Sequence, residues 1–182
     1  MTTHFHDYSL VRLFHKNGPE IVHHIISLND SDRYLRFGYN CSDEQIANYV
    51  VNSLASSEAQ KNFWYGIFDG IKLIATIHIA LGDDIAEFAF TTDSEYRGQK
   101  IGQLLFARGY QLVTEFQITR IYMCMLSKNA AMRHIAKKFG MSVMTHGTDS
   151  EASVNIAYPV PLSRLNEVKM CMICMIDKDL GK

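Results

Sequence analysis

Residues 9–14 alternate enough between polar and apolar side chains to predict a first strand. Gly18-Pro19-Glu20 then opens a helix, because proline is tolerated in a first turn, and Ile21, Val22, Ile25 and Ile26 supply its apolar face. Ser42-Asp43-Glu44-Gln45 has the form of a capping box, followed by the stripe Ile46, Tyr49, Val50 and Leu54 of a second helix. The middle of the chain is strand-rich. Residues 63–68 and 71–81 flank Asp69-Gly70, a strong hairpin signal, and a tight turn at Gly82-Asp83 returns the chain into a strand at 85–91.

A helix is expected from about 101 to 116, with Ile101, Leu104, Leu105, Leu112 and Phe116 inward and Gly109 allowing close packing. Residues 121–125 are apolar on both faces, as in a central strand. Residues 129–139 carry Met132, Ile135, Ala136 and Phe139 at helical spacing, with Gly140 as the stop and Lys137 and Lys138 in the last turn. Strands are expected at 141–145 and 153–158, and a helix within 162–175. The order β-α-α-β-β-β-α-β-α-β-β predicts an α/β or α+β fold, a mixed sheet covered by helices.

The chain has 182 residues, 47% of them hydrophobic and 20% charged, which suits one globular domain with a core at about 9–158 and a tail at 159–182. Net charge is −1, against an electrostatic nucleic-acid binder. The first residues hold no apolar run of the signal-peptide kind, and the run 170–176 is too short to span a bilayer. Four cysteines in a chain of this length do not make a disulfide framework, so a reducing cytoplasm is expected. Cys171 and Cys174 lack the partners that zinc needs, so no metal is expected.

The most informative stretch is Ala86-Glu87-Phe88-Ala89-Phe90-Thr91-Thr92 followed by Arg97-Gly98-Gln99-Lys100-Ile101-Gly102-Gln103. It reads as a strand, a turn and a glycine-containing loop opening a helix. Such a loop aims backbone N–H groups and the helix dipole at one spot, which binds phosphate. A pyrophosphate ligand is the first expectation.

These residues resemble the GCN5-related N-acetyltransferases (GNAT), whose cofactor loop has the form Arg/Gln-x-x-Gly-x-Gly/Ala. Arg97 and Gly102 match its first and last positions, and the element order matches over about 9–158. Asn129-Ala130-Ala131-Met132 with Lys138-Phe139-Gly140-Met141 is similar to the family's second motif helix, and Ala86 to Phe90, like Tyr34-Leu35-Arg36-Phe37, is similar to bacterial protein-lysine acetyltransferase domains. The resemblance implies a mostly antiparallel central sheet with helices on both faces, acetyl-CoA as acyl donor, and a primary amine (a protein lysine or a small molecule) as acceptor. It implies cofactor contacts at Phe90, Thr91, Thr92, Arg97, Gly98, Gln99, Lys100, Ile101, Gly102, Gln103 and Asn129. A monomer or homodimer is expected.

Two positions depart from the family pattern. Lys100 stands where glycine is usual, and a helical φ there is the expectation, with the ammonium able to reach a phosphate. Ala136 stands where many members carry a tyrosine that protonates the leaving thiolate. Acetyl transfer needs a neutral amine, and deprotonating a lysine-like amine near pH 7 costs about 4–5 kcal/mol. Glu87, in an otherwise apolar strand, is the candidate general base, with burial expected to raise its pKa; the alternative is a solvent-facing strand residue. The Gly82-Asp83 turn sets His78 opposite Glu87, as a proton partner or as a histidine that merely packs. A main-chain N–H within 88–90 is the candidate oxyanion donor. The competing class is a non-catalytic acyl-CoA-binding sensor or interaction module.

Overall fold

The computed structural model describes residues 8–55 and 61–158. Its elements are β1 (Tyr8–Leu13), α1 (Gly18–Ser27), α2 (Asp30–Phe37), α3 (Asp43–Ala55), β2 (Asn62–Asp69), β3 (Lys72–Leu81), β4 (Ile85–Thr92), α4 (Ile101–Glu115), β5 (Arg120–Leu126), α5 (Ala130–Lys138), β6 (Ser142–His146) and β7 (Asp149–Asn155). The expected tail helix, with Cys171 and Cys174, lies outside the described residues.

The strands form one seven-stranded sheet in the order β1-β2-β3-β4-β5-β7-β6. Every neighbouring pair is antiparallel except β4 and β5. Helices cover both faces, as expected. On one face α4 and α5 close a core around Ile77, Phe88, Phe106, Leu112 and Met123. On the other, α1 and α3 bury Ile21, Ile25, Ile46 and Val50 against Trp64 and Leu73. β3 lies between these layers, and its residues 73–79 are buried on both sides.

The capping box forms as read: Ser42 N–H donates to Gln45 Oε1 at 2.9 Å and Gln45 N–H to Ser42 Oγ at 3.2 Å. Gly109 is required by packing. A Cβ there would lie 2.7 Å from the Phe88 ring and 3.1 Å from Ile77 Cδ1. Gly109→Ala should therefore cost about 1–3 kcal/mol, measured by denaturant unfolding. A neutral result would mean that α4 can lift off the sheet without penalty.

Four local expectations change. The β2–β3 turn is Gly70-Ile71, since Asp69 pairs with Lys72, and Ile71 projects fully into solvent at its tip. The β3–β4 turn is centred on Asp83-Asp84, with Gly82 N–H donating to Ile85 O at 2.7 Å. The last strand starts at Asp149 because Gly147, at φ +62°, makes a tight hairpin that the polar run 149–151 hides from a hydrophobic pattern. β5 is central, yet within 121–125 burial is confined to Ile121, Met123 and Met125; Cys124 on its other face is exposed.

Candidate active site

β4 and β5 pair in parallel only at Ile85–Arg120, Ala86–Ile121 and Glu87–Tyr122. Beyond Glu87 the two strands part, and among the described residues no strand covers that edge of residues 88–92. A cleft of about 770 Å³ opens in the gap. Its floor is Glu87 to Thr92, one end is the 96–103 loop, and the opposite wall includes Cys124, Met125 and Asn129. Leu35, Arg36 and Phe37 of α2 close it from above.

The loop end presents the features that suit an anion. Among the described residues, the N–H groups of residues 98 to 102 donate to no main-chain carbonyl. They surround the N-terminus of α4, a 15-residue helix, where the macrodipole adds partial positive charge. Gly98 has φ +77°, a conformation natural to glycine. Lys100 corrects the expectation of a helical φ: it sits at φ 64°, ψ 9°, left-handed, immediately before the helix. The turn needs that geometry to bring the chain into α4, and a lysine there is strained. Lys100→Gly should relieve the strain and raise unfolding stability by about 0.5–1 kcal/mol in the absence of ligand, read as an upward shift in Tm. A lower Tm would show that the lysine side chain makes stabilising contacts outweighing its backbone cost.

Gly102 lines the cleft, but its missing Cβ serves packing: an added carbon would lie 2.7 Å from Ile135 Cδ1. Asn129 also lines the cleft and caps α5, its Oδ1 accepting from Met132 N–H at 3.2 Å. Phe90 stacks on Phe106 in the core, so only its main chain is available to a ligand. Thr91 points to the other face, where its hydroxyl meets Thr76 Oγ1 at 2.6 Å and His24 Nε2 at 2.9 Å. Thr92 lines the cleft. Gln99 is held by Tyr8, whose hydroxyl donates to its Oε1 at 2.5 Å.

Glu87 stands where the strands part, on the cleft wall. Its side chain is exposed, so the burial expected from its apolar neighbours is absent. The alternation of β4 sends Phe88 and Phe90 under α4 and Glu87 to the opposite face. His78 does not oppose it. The shifted turn places Ala80 opposite Glu87 and His78 opposite Ala89. His78 is buried and stacked on Trp64 at 4.6 Å. Its ring nitrogens are both engaged, Nδ1 with Tyr49 Oη at 2.5 Å and Nε2 with Asn62 Oδ1 at 2.8 Å. Burial, aided by the charge of Arg36, lowers its pKa to about 3. It is a neutral structural histidine.

That network reaches the cleft by another route. Arg36 Nη2 donates to Tyr49 Oη at 2.7 Å, so the chain of hydrogen bonds runs from Arg36 through Tyr49 and His78 to Asn62. Arg36 escaped the reading of single residues because α2 has no apolar stripe. Its signals were Asn29, whose Oδ1 accepts from Asp32 N–H, and Gly38 at φ +80°. Cys124 was hidden by the assumption that β5 is covered on both sides. Although Cys124 is exposed, partial desolvation of its sulfur and the nearby carboxylates of Glu87, Asp149 and Glu151 raise its thiol pKa, while a hydrogen bond with Tyr122 pulls the other way. Tyr122 is likewise pushed up, by burial first and then by Cys124 and Glu151.

No group of His, Cys, Asp and Glu suited to a metal ion occurs among the described residues, and no described helix is long and apolar enough to cross a membrane. The cleft thus joins a split between two parallel strands to an open-amide helix N-terminus, a geometry that suits an anionic, extended ligand. Residues 10–142 match the model of the acetyltransferase (GNAT) domain, and the chain belongs to that family. Solved structures agree at the level of fold. The GNAT domain of S. lividans PAT is 16% identical, with TM-score 0.69 over 81% of this chain and 89% of that one. An acetyltransferase from Streptococcus agalactiae is 15% identical, with TM-score 0.70 over 84% and 100%. The PaiA N-acetyltransferase of Thermoplasma acidophilum, in complex with coenzyme A, is 17% identical, with TM-score 0.65 over 82% and 99%. No curated protein matches the chain.

Proposed function

We propose that the chain transfers an acetyl group from acetyl-CoA directly to a primary amine, on a protein lysine or a small molecule, with Glu87 as general base. The observation that carries this reading is the junction at Glu87: the only carboxylate on β4 lies where the parallel ladder ends and the open edge of the strand begins. The open N–H groups of residues 98 to 102 suit a diphosphate, and the unpaired edge of 88–92 suits the amide groups of a pantetheine arm. Acetyl-CoA would supply a thioester, an activated acyl group with a good leaving thiolate.

Glu87 holds the proton that the acceptor must lose. It lies on an accessible wall, within reach of a water or an amine, and makes no ion pair among the described residues. The main-chain N–H groups of Phe88 and Phe90 face the open edge, since the ladder turns that of Ala89 toward β3, and they would receive developing negative charge. Direct transfer is favoured over a covalent enzyme intermediate because the pKa of Cys124, the thiol of the cleft, is raised by partial desolvation and the carboxylates around it, which disfavours the thiolate. Free thiols at Cys41 and Cys124 suit a reducing, cytoplasmic setting.

Acetyl-CoA should raise Tm through linkage. Free-CoA release should then appear on a panel of amines and lysine peptides. Binding without turnover on broad panels would favour the sensor reading. Absence of any coenzyme A binding would remove both.

A further inference from the structure

The anion-binding loop is fastened from outside by side chains of the amino-terminal half. Tyr8 holds Gln99, Asp69 Oδ2 accepts from Tyr96 Oη at 3.0 Å, and Asp32 Oδ2 meets Arg97 Nη2 at 2.5 Å. The last tie differs from the others. Asp32 is 8% exposed, and the same oxygen accepts from Asn29 Nδ2 at 2.7 Å. A buried carboxylate with a charge-assisted partner is costly to leave unpaired. Arg97 is therefore committed to α2. Lys100, by contrast, is exposed, lines the cleft and has no ion pair among the described residues.

We propose that Asp32 is a positioning residue for the donor site: it latches Arg97 to α2, fixes the loop in its open-amide geometry, and leaves charge recognition of a diphosphate to Lys100 and the main chain. This rests on the acetyl-CoA reading above. The latch also joins the two ends of the cleft, because α2 carries both Asp32 against the loop and Arg36 over the far wall. Pre-organisation of this kind lowers the ordering cost of binding and adds no contact of its own.

The test measures acetyl-CoA affinity by calorimetry, and KM and kcat by CoA release, at low and high salt. Asp32→Asn keeps the side-chain shape and the Asn29 partner but removes the charge. Asp32→Asn and Arg97→Gln should each weaken acetyl-CoA binding roughly tenfold with kcat at saturation little changed, and the double variant should be no worse than either single one. The salt dependence of binding should persist in both and shrink in Lys100→Gly, because screening acts on the charge that meets the ligand. Tighter binding by Asp32→Asn, additive losses, or loss of salt dependence in Arg97→Gln would overturn the proposal by making Arg97 a direct phosphate ligand. Should Asp32→Asn fold poorly, the half-exposed Arg97→Gln carries the test alone. Failure of the wild-type chain to bind acetyl-CoA would instead remove the functional reading on which this one stands.

Discussion

Glu87→Gln should lower kcat by about 10²–10⁴-fold while leaving acetyl-CoA affinity within a factor of about two. Glutamine keeps the size and the hydrogen-bonding outline of the side chain but cannot take a proton. The expected loss is confined to the chemical step because the residues suited to the nucleotide end lie at 98–102, at the other end of the cleft. Exposure at Glu87 makes the variant structurally mild: no buried charge is created or stranded, and Tm should shift by less than about 0.5 kcal/mol equivalent. Raising pH should partly restore the variant, since more acceptor amine is then neutral without assistance. Full activity in Glu87→Gln at neutral pH would sink the assignment and leave solvent as the base.

The largest effect on stability belongs to His78. In the folded chain its pKa is about 3, against about 6.5 for an ordinary histidine. Between those values the unfolded chain binds a proton that the folded chain refuses, so stability is complete above pH 6.5 and falls as pH drops through the window. The slope is about 1.4 kcal/mol per pH unit, and the loss between pH 7 and pH 5 should be about 2 kcal/mol. The groups facing the ring explain the sign. Nε2–H donates to Asn62 Oδ1, and Nδ1 accepts from Tyr49, whose oxygen accepts from Arg36, so a second ring proton would collide with a donor near a guanidinium. Trp64 covers one ring face and offers no compensating charge. His78→Gln should be less stable at pH 7, but its denaturation midpoint should fall less steeply toward pH 5 than the wild type. Parallel pH curves for the two proteins would show that other groups govern the acid limb.

The two residues first paired as catalytic partners thus separate into different tasks. A hairpin turn one residue later than expected moves every cross-strand partner by two, which preserves the face and changes the neighbour. His78 therefore remains on the side of the sheet that Glu87 faces, yet it meets the aromatic residues Trp64 and Tyr49 beneath α3. Gly109 and Gly140 do what their positions imply, one by close packing and one by a left-handed φ. Lys100 shows the limit of that logic, since a side chain at a left-handed position cannot be recognised from its identity.

Local chemistry and periodicity were sufficient to place the principal strands and helices, the loop that opens α4, and the carboxylate on β4, because each depends on residues within about ten positions of one another. Folding alone decided where β4 and β5 part, which face of β5 stays open, and that α2 brings Asp32 to Arg97 and Arg36 to the cleft. Those contacts join residues far apart in the chain, and their energy resides in burial and in paired charge, neither of which a one-dimensional pattern contains.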